Sequence, residues 1–415
     1  MKKMILLALL TLLCLGASAQ EDGTKTGWNF GPLPAVGYSS DLGFQYGVFG
    51  EIFNFGDGST FPEYKHKFTV EASTYTKGSS TLSFAYDSKY LIPNLRTTFN
   101  ASYLPDNMMS FYGFNGYMSP YDATAGESFY AVDRKYFRSY LALQGKIAGN
   151  LNWAAGLGYY SYKVGEVQLE QYEGAESLFA EYLSAGLISA DECSGQHVEL
   201  QVGLVHDTRD SEADPMRGFI TEVIGVASPN LLDASDASFG QLSIIHRGYI
   251  PVVGETLTIA YRALYQGVIY GEVPFYHLQN LTTLLFRRTY SEALGGTGSL
   301  RGMLRNRAVG EGYAMANVEL RYRYFHFDLI GQKWYLALNP FLDMGQVVQP
   351  FRADEMTATS NSLIYSGSDE SLHTTAGLGT KVVMNRNFIL SAEYGVALDE
   401  QDGTNSLIIG LSFMF

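Results

Sequence analysis

Apolar and polar residues alternate one by one along much of this chain. Between residues 197 and 205, polar residues and glycine separate the apolar positions Val198, Leu200, Val202 and Leu204. Residues 315–324 repeat the pattern, in which Asn317 and three charged residues alternate with Val318, Leu320, Tyr322 and Tyr324. Since successive side chains of a β-strand point to opposite faces, a period of two predicts strands with one apolar face and one polar face.

The polar face of these strands is charged, and this charge distinguishes a membrane barrel from a soluble β-sandwich. A soluble sandwich also alternates, but recurrent arginine, glutamate and lysine on the polar face fit a wet lumen inside a lipid-facing wall. A charge turned towards lipid at mid-membrane costs about 2–4 kcal/mol, so the register of such strands is strongly fixed. The pattern predicts an all-β, antiparallel transmembrane β-barrel.

Counting these segments gives about 16 strands, an even number as in bacterial barrels. The predicted spans are 33–40, 43–54, 65–76, 79–90, 95–104, 133–147, 150–166, 194–207, 217–227, 238–251, 254–269, 311–325, 333–349, 371–384, 386–399 and 405–415. If both termini face the periplasm, the connections after odd-numbered strands face outside and are the long ones. The longest connections do follow odd-numbered strands, at 105–132, 167–193, 270–310 and 350–370. Residues 175–183 are expected to form a short helix or an ordered rim in one of these loops.

The first residues have the pattern of a secretory signal peptide. Two lysines precede the apolar stretch 4–15, and the small residues Ala17-Ser18-Ala19 follow it. The apolar stretch is shorter than the ~20 residues that a membrane-spanning helix needs. Cys14 leaves a lipoprotein as the alternative, although two leucines precede it where small residues are required. The predicted organisation is a signal peptide at 1–19, a short periplasmic segment at 20–32 and an outer-membrane barrel at 33–415.

The last segment alternates to the final residue of the sequence. Its apolar positions are Leu407, Ile409, Leu411, Phe413 and Phe415. The pattern predicts a lipid-facing strand with an aromatic residue at the membrane interface. It also resembles the terminal signal that the bacterial barrel-assembly machinery reads, so that machinery is an expected partner during biogenesis, together with outer-membrane lipid.

Composition agrees with a barrel and excludes several other classes. The chain has 44 glycines, 30 tyrosines and 25 phenylalanines but only 17% charged residues, which suits many aromatic-rich strands. Cys193 is the one cysteine after the signal peptide, so no internal disulfide is expected. A net charge of −14 argues against nucleic acid as a partner, because binding to it depends on neutralising phosphates with lysine and arginine.

No catalytic or metal-binding pattern is evident in the sequence. His206, Asp207 and Asp210 lie close together, but adjacent strand residues face opposite sides and cannot form one catalytic pair. The seven histidines are scattered, with no close pair spaced as metal ligands. No nucleophile elbow or phosphate-binding loop is found. We therefore expect no enzyme activity, no cofactor and no metal.

A glycine-rich motif precedes the twelfth predicted strand. It comprises Gly295, Gly296, Thr297, Gly298, Ser299, Leu300, Arg301 and Gly302. The motif resembles the conserved loop of the BamA/TamA superfamily of outer-membrane assembly and translocation barrels. In that family the loop follows the eleventh strand, as it does in our count, and folds back into the lumen with its arginine packed on the wall.

Further elements resemble the family in the same order along the chain. The family's periplasmic turn between strands eight and nine is matched by Asp207, Thr208, Arg209, Asp210, Pro215 and Gly218. The strands that follow the loop are matched by Asn317, Glu319, Arg321, Phe341, Asp343, Gly345, Gly377 and Gly379. The resemblance covers most of the predicted barrel and is strongest from residue 200 onward.

Alternation places Glu319 and Asp343 on the lumenal face of their strands. An arginine carried by an infolded loop can bind either carboxylate through two nitrogens, which lysine cannot do. The neighbouring glycines would let the loop backbone turn tightly and approach the wall. The alternative is that Arg301 lies in a solvated outer loop without a partner.

The resemblance implies a role in inserting or translocating outer-membrane proteins, alone or as a subunit of a complex with other outer-membrane proteins or lipoproteins. The family carries periplasmic POTRA domains before its barrel, and the segment 20–32 is too short for one. We therefore expect a form without POTRA domains. A passive pore or transport channel is the alternative function.

The seam between the first and last strands is expected to be weak. Pro34 lacks a ladder donor, and Gly37 and Gly410 add no side-chain packing. In the BamA/TamA family this seam is the proposed lateral gate. We expect a closed seam held by few hydrogen bonds, because a wide gap in hydrocarbon would leave polar groups unsatisfied.

Overall fold

The computed structural model describes residues 24–169, 172, 176–232, 238–281, 292–411 and 413–415. The predicted signal peptide lies outside these residues. The strands are β1 (Trp28–Ser39), β2 (Gly43–Asn54), β3 (His66–Tyr75), β4 (Ser80–Ile92), β5 (Leu95–Tyr103), β6 (Asp106–Ser110), β7 (Ala131–Ala148), β8 (Leu151–Gly165), β9 (Ser194–Asp207), β10 (Gly218–Ser228), β11 (Phe239–Val253), β12 (Leu257–Gly271), β13 (Gly312–Leu329), β14 (Gln332–Gln349), β15 (His373–Met384), β16 (Phe388–Ala397) and β17 (Asn405–Leu411).

These strands form one closed antiparallel barrel in which each strand pairs with its neighbours along the chain. The short strand β6 pairs with β7 just beyond β5, so the barrel has 16 strands and one extra. The predicted fold class is therefore confirmed. The four longest connections, after β6, β8, β12 and β14, all lie at one end of the barrel, the loop end, and most connections at the other end, the turn end, are short.

The first strand begins at Trp28, earlier than the predicted start near Leu33. It pairs with β2 along its whole length, from Trp28↔Asn54 to Ser39↔Gly43. Two prolines, Pro32 and Pro34, lie within this strand. They are tolerated because most of the other edge of β1 has no ladder partner among the described residues, and proline is accepted at a strand edge.

Side chains alternate between the lumen and the lipid face as the sequence pattern predicts. On β9 the lipid-facing side chains of Leu200, Val202 and Leu204 are exposed. On β13 the outward residues Val318, Leu320, Tyr322 and Tyr324 are exposed, whereas the inward residues Asn317, Glu319, Arg321 and Arg323 are buried.

Aromatic side chains from several long connections pack into a cap at the loop end. The helix α1 (Leu178–Ser184) presents Phe179 and Tyr182 to Phe111, with edge-to-face ring contacts at 5.6 and 5.3 Å. The rings of Phe114 and Phe351 lie 4.7 Å apart, beside the helix α2 (Ala353–Ala358). Among the described residues, no helix is long and apolar enough to span a bilayer.

The seam between β1 and β17 is short. The two strands pair at Tyr38↔Ile409 and Ser39↔Ile408, and the N–H of Ser40 donates to the carbonyl of Leu407 at 3.1 Å. By contrast, β17 pairs with β16 from Asn405 to Leu411. The barrel is closed through few ladder bonds at this seam, as the sequence predicted.

The prediction of a strand to the last residue is wrong in its final part. Strand β17 ends at Leu411, and Phe413 is buried rather than turned to lipid. The ring of Phe413 lies 4.0 Å from the Arg321 guanidinium carbon, and the carbonyl of Phe415 accepts a hydrogen bond from Arg321 at 2.8 Å. Cation–π attraction to a buried arginine draws these residues inward.

Candidate functional site

The connection after β12 enters the lumen and lies against the wall. Gly302 has a φ of +100°, and a Cβ built on it would lie 2.6 Å from the carbonyl carbon of Gly395 on β16. A Cβ on Gly395 would in turn lie 2.5 Å from the carbonyl oxygen of Arg301. The two backbones therefore touch directly, which requires glycine on both sides.

Arg301 binds Asp343 of β14 through both its side chain and its backbone. Its Nε and Nη2 donate to the two carboxylate oxygens at 2.9 and 2.8 Å, and its backbone N–H donates at 3.1 Å. Both side chains are fully buried. This two-nitrogen geometry is the strong form of an arginine–carboxylate pair.

The same guanidinium reaches two more strands. Its Nη1 donates to Glu319 of β13 at 2.5 Å and to Glu393 of β16 at 3.0 Å. Its Cζ lies 3.6 Å from the ring centroid of Phe341, and that ring occupies the space that a side chain at Gly377 would fill. One loop arginine thus joins β13, β14 and β16.

Two more cations complete the cluster. Lys381 of β15 donates to Glu393 at 2.6 Å, and Arg321 donates to Glu319 at 3.0 Å. We call the set of Arg301, Arg321, Lys381, Glu319, Asp343 and Glu393 the lumenal ion cluster. Its three cations match its three carboxylates, as buried charges require. The sequence analysis missed Glu393 and Lys381, although both are charged positions in alternating strands.

Polar contacts anchor the rest of the glycine-rich motif. Arg262 of β12 donates to Asn317 at 2.8 Å and to the carbonyl of Gly298 at 2.9 Å. Asn317 donates to the carbonyl of Ser299 at 2.8 Å, and the Ser299 hydroxyl accepts from the N–H of Gly295 at 2.9 Å. These bonds fix the path of the loop inside the lumen.

Other predicted motif residues are also buried in the loop. Gly296 has a φ of +105°, which favours glycine, and Leu300 is fully buried. A Cβ at Gly345 would lie 3.1 Å from Leu300. The absence of a side chain at Gly345 therefore leaves room for Leu300 to pack against the wall.

Arg305 and Arg307 connect the loop to the cap, and sequence reasoning missed both. Arg305 pairs with Asp106 at 2.7 Å. Arg307 donates to the carbonyls of Gly116 and Ser119, each at 2.9 Å. Among the described residues, Arg307 donates only to backbone carbonyls, so no charged residue in the sequence indicates its position.

The predicted turn motif lies between β9 and β10. Arg209 binds Asp207 through two nitrogens at 2.9 and 2.8 Å. Burial raises the pKa of the Asp210 carboxyl, but the N–H groups of Met216 and Arg217 outweigh this and hold that pKa below its ordinary value. Gly218 has a φ of +91°, and a Cβ there would lie 2.3 Å from the carbonyl oxygen of Thr208.

The turn also reaches other strands through an aspartate that the sequence analysis did not single out. Asp214 is fully buried beside Pro215. It accepts hydrogen bonds from Arg323 of β13 at 2.7 Å and from Tyr335 of β14 at 2.9 Å. Arg386, in the turn after β15, donates to it at 3.2 Å. The turn is thereby fixed to the strands that carry the lumenal ion cluster.

Two histidines that lie far apart in the sequence come together in the lumen. His197 and Glu199 of β9 meet His277, and both imidazole Nε2 atoms face one carboxylate oxygen of Glu199 at 3.2 and 2.8 Å. Spacing along the sequence could not reveal this group, because the third residue comes from the infolded connection.

Comparison with known proteins gives one family. The family model described as the Omp85 superfamily domain matches residues 65–415. A crystal structure of BamA from Haemophilus ducreyi lacking POTRA domains 1–3 is similar at a TM-score of 0.58 and 19% identity, covering 94% of this chain and 71% of that one. CdiB from Acinetobacter baumannii aligns at a TM-score of 0.49 and 15% identity, covering 94% of this chain and 60% of that one. No curated protein sequence matches.

Proposed function

The chain belongs to the Omp85 superfamily and is an outer-membrane β-barrel of the insertion and translocation type, and on this premise we propose that it inserts other outer-membrane proteins through the seam between β1 and β17. The short seam is the observation that carries the proposal. The edge of β1 from Trp28 to Val36 has no β17 partner among the described residues. Its backbone groups can pair with an incoming strand, because an exposed strand edge is a template for β-augmentation.

The lumenal ion cluster favours opening between β1 and β17 over opening between the strands that the cluster joins. It joins the infolded loop to β13, β14, β15 and β16. Opening any of those strand pairs would disturb buried charges, which costs about 3–5 kcal/mol when one partner is lost. Strand β17 contributes no charged side chain to the cluster, so it can separate from β1 at lower cost.

The cap at the loop end favours insertion over the alternative of a passive pore. Aromatic residues from several connections pack there, and the infolded loop fills part of the lumen below. A wide water-filled channel would need that space. The proposed role is mechanical and involves no catalysed reaction. We propose export by the signal peptide, and outer-membrane proteins or lipoproteins as partners.

A reversible lock on the seam tests this proposal. Tyr38→Cys and Ile409→Cys, in a Cys193→Ser background, place two thiols at paired positions that both face outward. The oxidised protein in lipid vesicles should lose its ability to accelerate the folding of a small outer-membrane barrel, and reductant should restore it. Val70→Cys with Phe84→Cys is the matched control, because this outward pair joins β3 to β4, which do not form the seam.

Two results would contradict the proposal. Full acceleration by the locked protein would show that the seam need not open. An unlocked protein that conducts ions strongly but does not accelerate folding would favour the passive pore.

A further inference from the structure

Two histidines and a glutamate meet in the lumen, away from the lumenal ion cluster. His197 and Glu199 are two residues apart on β9 and share its inward face. His277 ends the 3-10 turn Phe275–His277 at the start of the infolded connection. The Nε2 atoms lie 3.2 and 2.8 Å from Oε1 of Glu199, and all three side chains are buried. The three ligand atoms lie within 4.8 Å of one another.

Neighbouring residues hold Glu199 and His197 in this arrangement. Gln201 donates to Oε2 of Glu199 at 3.0 Å, and Tyr140 donates to Gln201 at 3.0 Å. Glu199 therefore keeps its other oxygen for the two imidazoles. The ring of His197 stacks on Tyr160, with centroids 5.0 Å apart and planes 11° apart. The ligand atoms are pre-positioned by residues on the same wall.

The surroundings of His277 suit a metal-bound imidazole. An imidazole that binds a metal through one nitrogen carries its proton on the other, and an acceptor there orients the ring. Nδ1 of His277 lies 3.0 Å from the hydroxyl of Tyr162 and 2.9 Å from the amide nitrogen of Asn280. The amide oxygen of Asn280 is buried and has no hydrogen-bond partner among the described residues. A 180° turn of the Asn280 amide exchanges its nitrogen and oxygen and places an acceptor at Nδ1 of His277.

We propose that His197, Glu199 and His277 bind one zinc-like divalent cation through the two Nε2 atoms and Oε1, with water completing the coordination. Two imidazoles and one carboxylate form a set that suits zinc, whereas calcium and magnesium prefer oxygen ligands. On binding, each Nε2 gives up any proton it carries, which moves to Nδ1 or to solvent. The site is structural: one ligand comes from the infolded connection and two from β9, so the ion would fasten the start of the loop to the wall.

Zinc binding by the untagged, folded barrel in detergent tests this site. The wild-type protein should retain about one zinc per chain after dialysis, measured by elemental analysis. Its unfolding midpoint should rise with zinc, because a ligand that binds only the folded state stabilises it. Magnesium should have neither effect. His197→Ala and His277→Ala should bind zinc at least about tenfold more weakly, since losing even a residue that orients a ligand costs about 10–100-fold.

His246→Ala is the matched control, because His246 contacts the hydroxyls of Thr221 and Tyr261 and is not a ligand of the proposed zinc site. It should bind zinc as the wild type does. If either histidine variant of the proposed site fails to fold, zinc X-ray absorption of the wild-type protein tests the site instead. Two imidazoles and oxygen ligands at about 2.0–2.2 Å would support it. Three results would overturn the proposal: no retained zinc in the wild type, a spectrum without imidazole ligands, or folded His197→Ala and His277→Ala variants that bind zinc as well as the wild type does.

Discussion

Arg301 binds Asp343 through two side-chain nitrogens and its backbone N–H, and neither residue is accessible to solvent. The pair joins a loop to the strand that receives it. Glu319 and Glu393 contact the same guanidinium. The position of the infolded loop therefore depends strongly on this one arginine side chain.

Arg301→Ala should destabilise the barrel strongly. The change leaves three carboxylates around an empty space, and breaking a buried pair by removing one partner costs about 3–5 kcal/mol. Arg301→Lys should recover only part of the loss, because lysine keeps the charge but not the two-nitrogen geometry. The midpoint of denaturant unfolding, followed by the gel shift between folded and unfolded barrel, measures both effects.

A double-mutant cycle shows whether the pair acts as described. Arg301→Ala and Asp343→Asn should be non-additive by about 0.5–3 kcal/mol, as expected for residues in direct contact. The same holds for Arg301→Ala with Glu319→Gln. Full additivity in both cycles would contradict the contacts of the lumenal ion cluster.

Gly302→Ala should loosen the infolded loop without changing any charge. Its φ of +100° disfavours a side chain, and the new Cβ would press on the backbone of Gly395 at 2.6 Å. Strain of this kind costs on the order of 1–3 kcal/mol. Limited proteolysis should cut the loop faster than in the wild type. Gly165→Ala is the control, since nothing lies within 4 Å of its Cβ position and its φ is not in the left-handed region; equal cleavage of both variants would rule out the close approach.

Phe413 should face the lumen and not the lipid. A spin label at Phe413→Cys, in a Cys193→Ser background, should show low collision with oxygen dissolved in the membrane, because the position lies under Arg321. A label at Leu407→Cys should show high collision, since Leu407 is exposed on the outer face of β17. Equal oxygen access at both positions would show that Phe413 faces lipid, as the alternation of the sequence alone predicts.

The sequence predicts most of the barrel because lipid and lumen impose opposite demands on neighbouring residues. Val318 and Glu319 cannot exchange faces without turning a charge to hydrocarbon, so alternation is preserved along β13. The glycine-rich motif is recognisable for a related reason. Gly302 tolerates no side chain where the loop backbone touches Gly395.

What the sequence could not predict depends on contacts across the lumen. Glu393 meets Arg301 from a strand far along the chain, and no local pattern gives that alignment. Phe413 continues the apolar alternation, yet a cation–π contact with Arg321 draws it inward. His277 joins His197 only because the infolded connection passes beside β9.

Hydrogen exchange in lipid nanodiscs tests the central claim most directly, because local opening free energy follows the bonds and contacts that opening breaks. Amides of residues 33–40 and 405–411, on the two sides of the seam, should exchange faster than those of 313–322 in β13, which pairs with β12 throughout this range and with β14 at all but two of its positions. Adding an unfolded outer-membrane client should change exchange at the seam and leave 313–322 unchanged. Equal protection of all three segments, with and without client, would contradict a seam that opens for insertion.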